Sequence, residues 1–272
     1  MNQYQTISAL KDTAKDKLTG KFGSAALLTF ANSTMLFSAS FIISMIISTI
    51  VTVIILVTGG DITNAALSME AAVIVFIFEY LLTLLCSVIT GIFNTGIALF
   101  FLNIASGRTA VLGNLFYGFH FLFKKSLRLS AVMTIAHAIC MLPHTFCSFM
   151  FTYVSGSWGI YMILALLLGT ILYLPIQLSL SQAFFLLLDF PSRSAKELLQ
   201  TSIRLMKGRK KQLFLIQLSF LPLMLLGTLT FEVGNLWITP YINMVMALYF
   251  LDIMKTGAVK TDAPTSDNPL NN

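Results

Sequence analysis

The side chains best suited to chemistry follow one another along a single apolar stretch. His137, Cys140, His144 and Cys147 have the spacing H-x2-C-x3-H-x2-C, which places all four within about 80° of one helical face. Imidazole and thiolate are zinc ligands, but four of them spread along about 15 Å of one helix cannot surround one ion. A pair such as His144 and Cys147 would need a second helix to complete a site. Packed thiols and hydrogen-bonded imidazoles are the simpler interpretation, and we predict no metal and no other cofactor.

Glu79 is the strongest single candidate for a functional side chain, because it lies inside the apolar run 71–107. A carboxylate at such a position costs about 2.5 kcal/mol or more unless it faces water or a partner. His137 and His144 are its candidate partners in an intramembrane polar site. Alternatively, a protonated Glu79 fixes helix packing, or it lies near the outer headgroups. We interpret four amides as hydrogen-bonding groups between helices rather than ligands: Asn94, Asn103, Gln177 and Gln182.

The composition indicates a membrane protein. Of the 272 residues, 57% are hydrophobic and only 10% are charged, and the mean hydropathy is +0.85. Soluble domains carry about 25% charged residues, so this chain cannot cover itself with a hydrated surface. Its net charge of +6 comes from short basic blocks beside apolar runs, a pattern typical of contact with anionic lipid headgroups. We therefore expect the lipid bilayer as the main partner and exclude nucleic acid.

Long uncharged runs predict an all-α, polytopic membrane protein with six transmembrane helices, since about 20 apolar residues cross a bilayer. A turn at 155–159 divides the longest run in two. The first two runs exceed one crossing, so we expect tilt, a cytoplasmic extension or, in the second run, a break near 91–96. The predicted helices are 33–57, 72–102, 129–152, 160–187, 212–231 and 236–254, within a membrane domain of 24–255.

The basic residues predict the orientation of these helices. All 17 Lys and Arg lie before the first helix, in 108–128, in 193–211 or after 254. The alternate connections at 58–70, 153–159 and 232–235 contain none. Since connections rich in Lys and Arg stay in the cytoplasm, we predict that both termini are cytoplasmic.

Three cytoplasmic segments have amphipathic character: 1–23, 107–128 and 192–211. The clearest, 194–207, has apolar residues on one helical face, a capping box formed by Ser194 and Glu197, and Gly208 as a stop signal. We expect this helix to lie on the inner leaflet, unless its apolar face packs on protein. The tail 256–272 is predicted to be disordered. Five basic residues are candidate contacts with anionic inner-leaflet lipids: Arg204, Lys207, Arg209, Lys210 and Lys211.

The order of short motifs between residues 95 and 251 resembles the bacterial membrane protein family called domain of unknown function 975. Two departures concern local packing, because the family commonly has Gly at Ile176 and an aromatic residue near Leu223. The first hairpin resembles the family only in hydropathy. The matching residues are Pro175, Asp189-Phe190-Pro191, Ser194-Ala195, Leu198, Ser202, Met206-Lys207-Gly208, Phe214, Leu218-Ser219-Phe220, Gly227, Thr230, Gly234, Trp237, Pro240-Tyr241, Ala247 and Tyr249, with Leu115-Phe116-Tyr117-Gly118-Phe119 in the middle loop.

The resemblance implies a multi-pass protein of the bacterial cytoplasmic membrane and implies no reaction, ligand or catalytic residue. We expect no enzyme, because the polar intramembrane residues offer no nucleophile and base at mechanistic spacing. The leading hypothesis is a non-enzymatic membrane accessory, scaffold or envelope-homeostasis component whose amphipathic cytoplasmic helices bind the inner leaflet, a protein partner or a second copy. The alternative is a small transporter or channel for a lipid, peptide or other solute, favoured by Glu79 and by Pro175, Pro222 and Pro240.

Overall fold

The computed structural model describes residues 6–57, 69–230 and 233–261, and within these ranges every regular element is helical. Short 3-10 helices lie at Leu112–Phe116 and Gly156–Trp158. The α-helices are α1 (Ile7–Leu18), α2 (Phe22–Val57), α3 (Met69–Gly91), α4 (Phe93–Ala105), α5 (Tyr117–His120), α6 (Phe123–Tyr153), α7 (Gly159–Leu180), α8 (Ala183–Asp189), α9 (Ala195–Leu205), α10 (Lys210–Leu218), α11 (Leu221–Leu229) and α12 (Asn235–Thr261).

Six stretches of the described chain are long and apolar enough to cross a membrane, which confirms the predicted all-α, six-span architecture. Three spans consist of one helix each, namely α2, α6 and α12. The other three combine α3 with α4, α7 with α8, and α10 with α11. The spans are Phe22–Val53, Met69–Ala105, Phe123–Tyr153, Gly156–Asp189, Lys210–Leu229 and Asn235–Lys255.

Three spans are broken. Of the three outcomes expected for the second run, the structure has the break, since α3 ends at Gly91 and α4 begins at Phe93. Two further breaks, after Leu180 and after Leu218, were not predicted. The prolines do not explain all of them: Pro222 lies in the first turn of α11, where proline is tolerated, whereas Pro175 and Pro240 lie inside helices that continue past them.

The apolar core lies at one end of the helix bundle. We call it the basic end, because every Lys and Arg of the sequence belongs to the segments that meet there or adjoin them. The opposite halves of the spans expose apolar side chains such as Phe37 and Ile171, as a surface facing lipid would. The largest fully buried side chains include Phe100, Phe101, Leu186, Phe220, Tyr249 and Phe250.

The predicted N-terminal amphipathic helix is α1, and its apolar face packs on protein. Leu10, Ala14 and Leu18 are fully buried, mainly against α12. Lys11 Nζ donates a hydrogen bond to the Ser219 carbonyl oxygen at 3.1 Å and lies 4.3 Å from the centre of the Phe220 ring. Burial, with repulsion from Lys15 as a smaller cause, lowers the pKa of Lys11. The helix is therefore docked onto the basic end.

The predicted capping box at the start of α9 is confirmed, since Ser194 and Glu197 form both of its hydrogen bonds. The predicted stop after α9 is confirmed too, because Gly208 has a φ of +80°. Its apolar face is largely covered by α6, α7 and α8, because Ala195, Leu198 and Met206 are buried while Ile203 remains 48% exposed. Most of the apolar face of α9 thus packs on protein, which was the stated alternative to contact with the inner leaflet.

The middle segment 107–128 is not one continuous helix. It folds into a 3-10 helix and the short α5, and α6 begins already at Phe123. The physical reason is close backbone contact with the break in the second span. A Cβ on Gly96 would lie 2.2 Å from the Leu115 carbonyl oxygen, and one on Gly118 would lie 2.6 Å from that of Ile92.

The C-terminal helix is longer than the sequence predicted. Disorder was expected from residue 256, whereas α12 continues to Thr261. The rest of the predicted tail, 262–272, and the first five residues lie outside the described residues.

Candidate functional site

Two adjoining clefts of about 530 Å³ and about 360 Å³ lie along α3 and α6, the larger one closed on its other side by α7 and α8. They share Tyr80, Thr83, His144 and Thr145, and so form one continuous feature, which we call the polar groove. Its polar side chains are Glu79, Tyr80, Thr83, Ser87 and Asn94 from the second span, Ser130, Thr134, His137, His144, Thr145, Ser148, Thr152 and Tyr153 from α6, and Tyr173 from α7.

The length of the groove is close to the thickness of a bilayer's hydrocarbon core. On the second span its lining runs from Phe76 to Asn94, about 27 Å at the rise of an α-helix. The hydrocarbon core of a membrane is about 30 Å thick. Hydroxyl, imidazole, phenol, amide and carboxyl groups, which are costly to expose to lipid, therefore line a groove of nearly that length.

Small side chains hold the helices around the groove. Ser130 Oγ donates to the Val88 carbonyl oxygen at 2.8 Å, and a Cβ on Gly91 would lie 1.9 Å from the same Oγ. Between α6 and α7, a Cβ on Gly169 would lie 2.8 Å from the Cys140 carbonyl oxygen. Such backbone approach is the usual way in which helices pack in lipid. The α3–α6 contact at Gly91 and Ser130 forms part of the groove wall.

The structure brings the three predicted intramembrane residues to this groove. Glu79 and His144 line the smaller cleft, and His137 and His144 line the larger one. The His137 ring packs edge-to-face on Tyr173 at 4.8 Å between ring centres. His144 Nδ1 lies 3.2 Å from the Met162 carbonyl oxygen. Because a carbonyl only accepts, Nδ1 carries the proton, which leaves Nε2 of a neutral ring as an acceptor.

Of the other residues singled out from the sequence, some line the polar groove and some do not. Cys140 and Cys147 are half-buried free thiols outside the groove. In the parts of the chain described, three or more His, Cys, Asp or Glu side chains do not come together in a group that could hold a metal ion. Asn94 lines the groove, whereas Gln182 is fully buried and donates to Ser181 Oγ at 3.0 Å. Of the basic residues, Arg204, Lys207 and Arg209 line a separate cleft at the basic end, and Lys210 and Lys211 do not.

The sequence analysis missed the hydroxyl-bearing wall of the groove. Tyr80, Thr83 and Ser87 follow Glu79 at helical spacing, so a polar period inside an apolar run was the available signal. The Tyr80 phenolic oxygen is buried and has no hydrogen-bond partner among the described residues. Since buried polar groups are nearly always paired, this hydroxyl indicates a site for water or for a polar ligand.

Six stretches long and apolar enough to cross a membrane, three of which line a polar groove, define a polytopic helical membrane protein. Comparison with known families gives the particular group. The chain belongs to the family described as protein of unknown function (DUF975), which matches residues 1–257 and so includes the first hairpin. No curated protein and no solved structure matched the chain.

Proposed function

We propose that the chain is a non-enzymatic transporter of the bacterial cytoplasmic membrane, and that it moves a lipid or lipid-like amphiphile along the polar groove. The observation that carries this proposal is the continuity of the groove, since its two clefts share four residues and together extend about the thickness of the hydrocarbon core. A polar headgroup can lie against such a wall while its acyl chains stay in the bilayer. The main barrier to crossing, exposure of the headgroup to hydrocarbon, is thereby lowered.

A binding role suits the groove better than catalysis. Glu79, His144 and Ser148 line one cleft, but within the described part of the chain no hydrogen bond joins these three side chains as it would in a catalytic relay. The groove offers many hydrogen-bonding groups at different depths. Such a series suits a ligand that exchanges partners as it moves.

A membrane accessory or scaffold protein is the second candidate. It is favoured by the compact basic end, where α1 and α9 are docked and exposed lysines such as Lys124, Lys196 and Lys211 remain for partners. This role requires no movement of a solute through the groove.

Transport can be tested with the purified full chain in vesicles that contain a fluorescent phospholipid, by following dye reduction from the outside. The chain should increase the fraction of lipid that becomes accessible. Ser87→Leu places a bulky apolar side chain in the groove and should return the rate to that of protein-free vesicles. Its control, Ser48→Leu, changes an exposed serine of α2 that does not line the groove and should leave the rate unchanged.

Glu79→Gln refines the same test, because it keeps shape and hydrogen bonding but removes the ionisable proton. We expect slower lipid exchange than in the matched variant Glu70→Gln, which changes an exposed carboxyl in the first turn of α3. If the unmodified chain gives no faster exchange than empty vesicles, or if both serine variants behave alike, the transport proposal is wrong and the accessory role is preferred.

A further inference from the structure

A second cleft, separate from the polar groove, lies at the basic end. It has a volume of about 640 Å³ and is formed by the end of α9, the turn that follows it and the loop after α8. Four of its seven lining residues are basic, and none is acidic: Arg193, Thr201, Arg204, Leu205, Lys207, Gly208 and Arg209. We infer that this basic cleft binds a phosphate group, with a phosphomonoester as the preferred chemical class.

The turn between α9 and α10 builds the cleft. Gly208 has a φ of +80°, a left-handed conformation that favours glycine, and it lets the chain reverse directly after Lys207. The reversal places Arg209 beside the side chains from the last turns of α9. Three cations from a short segment thereby face one space instead of spreading around a helix.

Two of the arginines are held in place by contacts of their own. The Arg193 guanidinium lies 4.5 Å from the centre of the Phe190 ring. Arg209 Nη1 donates to the Ile253 carbonyl oxygen at 3.4 Å, and the Arg209 carbonyl accepts from Tyr249 Oη at 3.3 Å. Preorganised guanidinium groups lose less freedom on binding, which distinguishes this cleft from a row of mobile surface lysines.

The charge balance selects the ligand. Bringing Arg193, Arg204 and Lys207 together without a carboxylate among the lining residues is unfavourable unless an anion screens them. A phosphomonoester carries up to two negative charges and three acceptor oxygens, so it satisfies more of these donors than a phosphodiester does. The source is either a lipid headgroup, such as that of phosphatidic acid, or a soluble phosphate compound.

The test uses the full chain in detergent and native mass spectrometry with phosphatidic acid, and with phosphatidylcholine of the same acyl chains as reference lipid. The triple variant Arg193→Gln, Arg204→Gln, Lys207→Gln should lose binding of phosphatidic acid by about tenfold or more, because charge-assisted hydrogen bonds to phosphate are strong. The matched control Lys196→Gln, Lys210→Gln, Lys211→Gln removes the same charge from side chains outside the cleft and should bind nearly as the unmodified chain.

Competition with inorganic phosphate and glycerol 3-phosphate distinguishes the two sources. Displacement of the lipid by these compounds would assign the cleft to soluble phosphates, and retention of the lipid would assign it to headgroups. Equal losses in the two triple variants would overturn the inference, since general surface charge would then explain binding. So would equal binding of the two lipids by the unmodified chain. The inference does not rest on transport through the polar groove.

Discussion

The contact between Gly91 and Ser130 should determine how stably α3 and α6 pack. A Cβ on Gly91 would lie 1.9 Å from Ser130 Oγ and 2.8 Å from Ser130 Cβ, so Gly91→Ala must displace the serine and lengthen its 2.8 Å bond to the Val88 carbonyl. Overpacking typically costs about 1–3 kcal/mol, and an interhelical hydrogen bond in a membrane contributes about 0.6 kcal/mol. Alanine recovers up to about 1 kcal/mol in helix propensity. We expect a net destabilisation of about 1–2 kcal/mol.

A second substitution isolates the clash from these other effects. Ser130→Gly removes both atoms that the new Cβ would meet, and leaves the Ser130 Cα at 3.7 Å, an ordinary contact distance. Alone, it should cost about 1 kcal/mol through the lost hydrogen bond and the lower helix propensity of glycine. The double variant should be no less stable than Ser130→Gly alone, so the two changes should couple favourably by about 1–2 kcal/mol.

Reversible unfolding in mixed micelles of a mild detergent and SDS, followed by far-UV circular dichroism, measures all four proteins. Additive effects, with coupling within about 0.5 kcal/mol of zero, would show that the two residues do not touch as described. A neutral or stabilising Gly91→Ala would refute the close approach of α3 and α6 itself.

Two further outcomes are expected. Single cysteines can be placed at positions 124, 155 and 211 of a cysteine-free chain and treated with a membrane-impermeant maleimide added to intact cells. The cysteines at 124 and 211 should stay unlabelled and the one at 155 should react, because the basic connections are predicted to be cytoplasmic. Labelling at 211 would contradict the predicted orientation. Ser202→Ala should destabilise the chain by about 0.6–1 kcal/mol, because the buried hydroxyl donates to the Ser179 carbonyl at 2.7 Å. Thr170→Ala, whose exposed hydroxyl bonds within its own helix, should change unfolding in the same micelles by less than Ser202→Ala.

The number of spans was predictable because hydropathy depends only on local composition. The break at Gly91 could also be anticipated, since its run exceeded one crossing and contained glycines. The break after Leu218 had a signal, because Pro222 lies four residues further on and its ring would clash with the Leu218 carbonyl in a continuous helix. The break after Leu180 had no such signal, and tertiary packing determines where that helix ends. Similarly, the apolar stripe of α9 is compatible with lipid or protein, and its environment depends on α6, α7 and α8.

The candidate site, too, was predictable only where a single residue was enough to reveal it. Glu79 was identifiable alone, because one carboxyl in an apolar run is conspicuous and energetically costly. Its neighbours across the groove come from α6, which packs on α3 through non-local contacts such as Gly91 with Ser130 and Phe76 with Phe149. Threonines and serines are common in membrane helices, so Thr83 and Ser87 become candidate site residues only once each of them is seen to line a cleft with His144.

The breaks in three of the six spans have a mechanical consequence. A helix bends most easily where its backbone hydrogen-bond ladder is already interrupted. The breaks at Ser181 and Ser219 lie between residues of the apolar core, such as Leu178 and Ala183 or Ile216 and Phe220, so packing holds them in place. The break at Ile92 separates most of the groove lining on the second span from the basic end. Bending there, in response to thickening or thinning of the bilayer, would change the width of the polar groove, so membrane thickness would act on the protein through this one break.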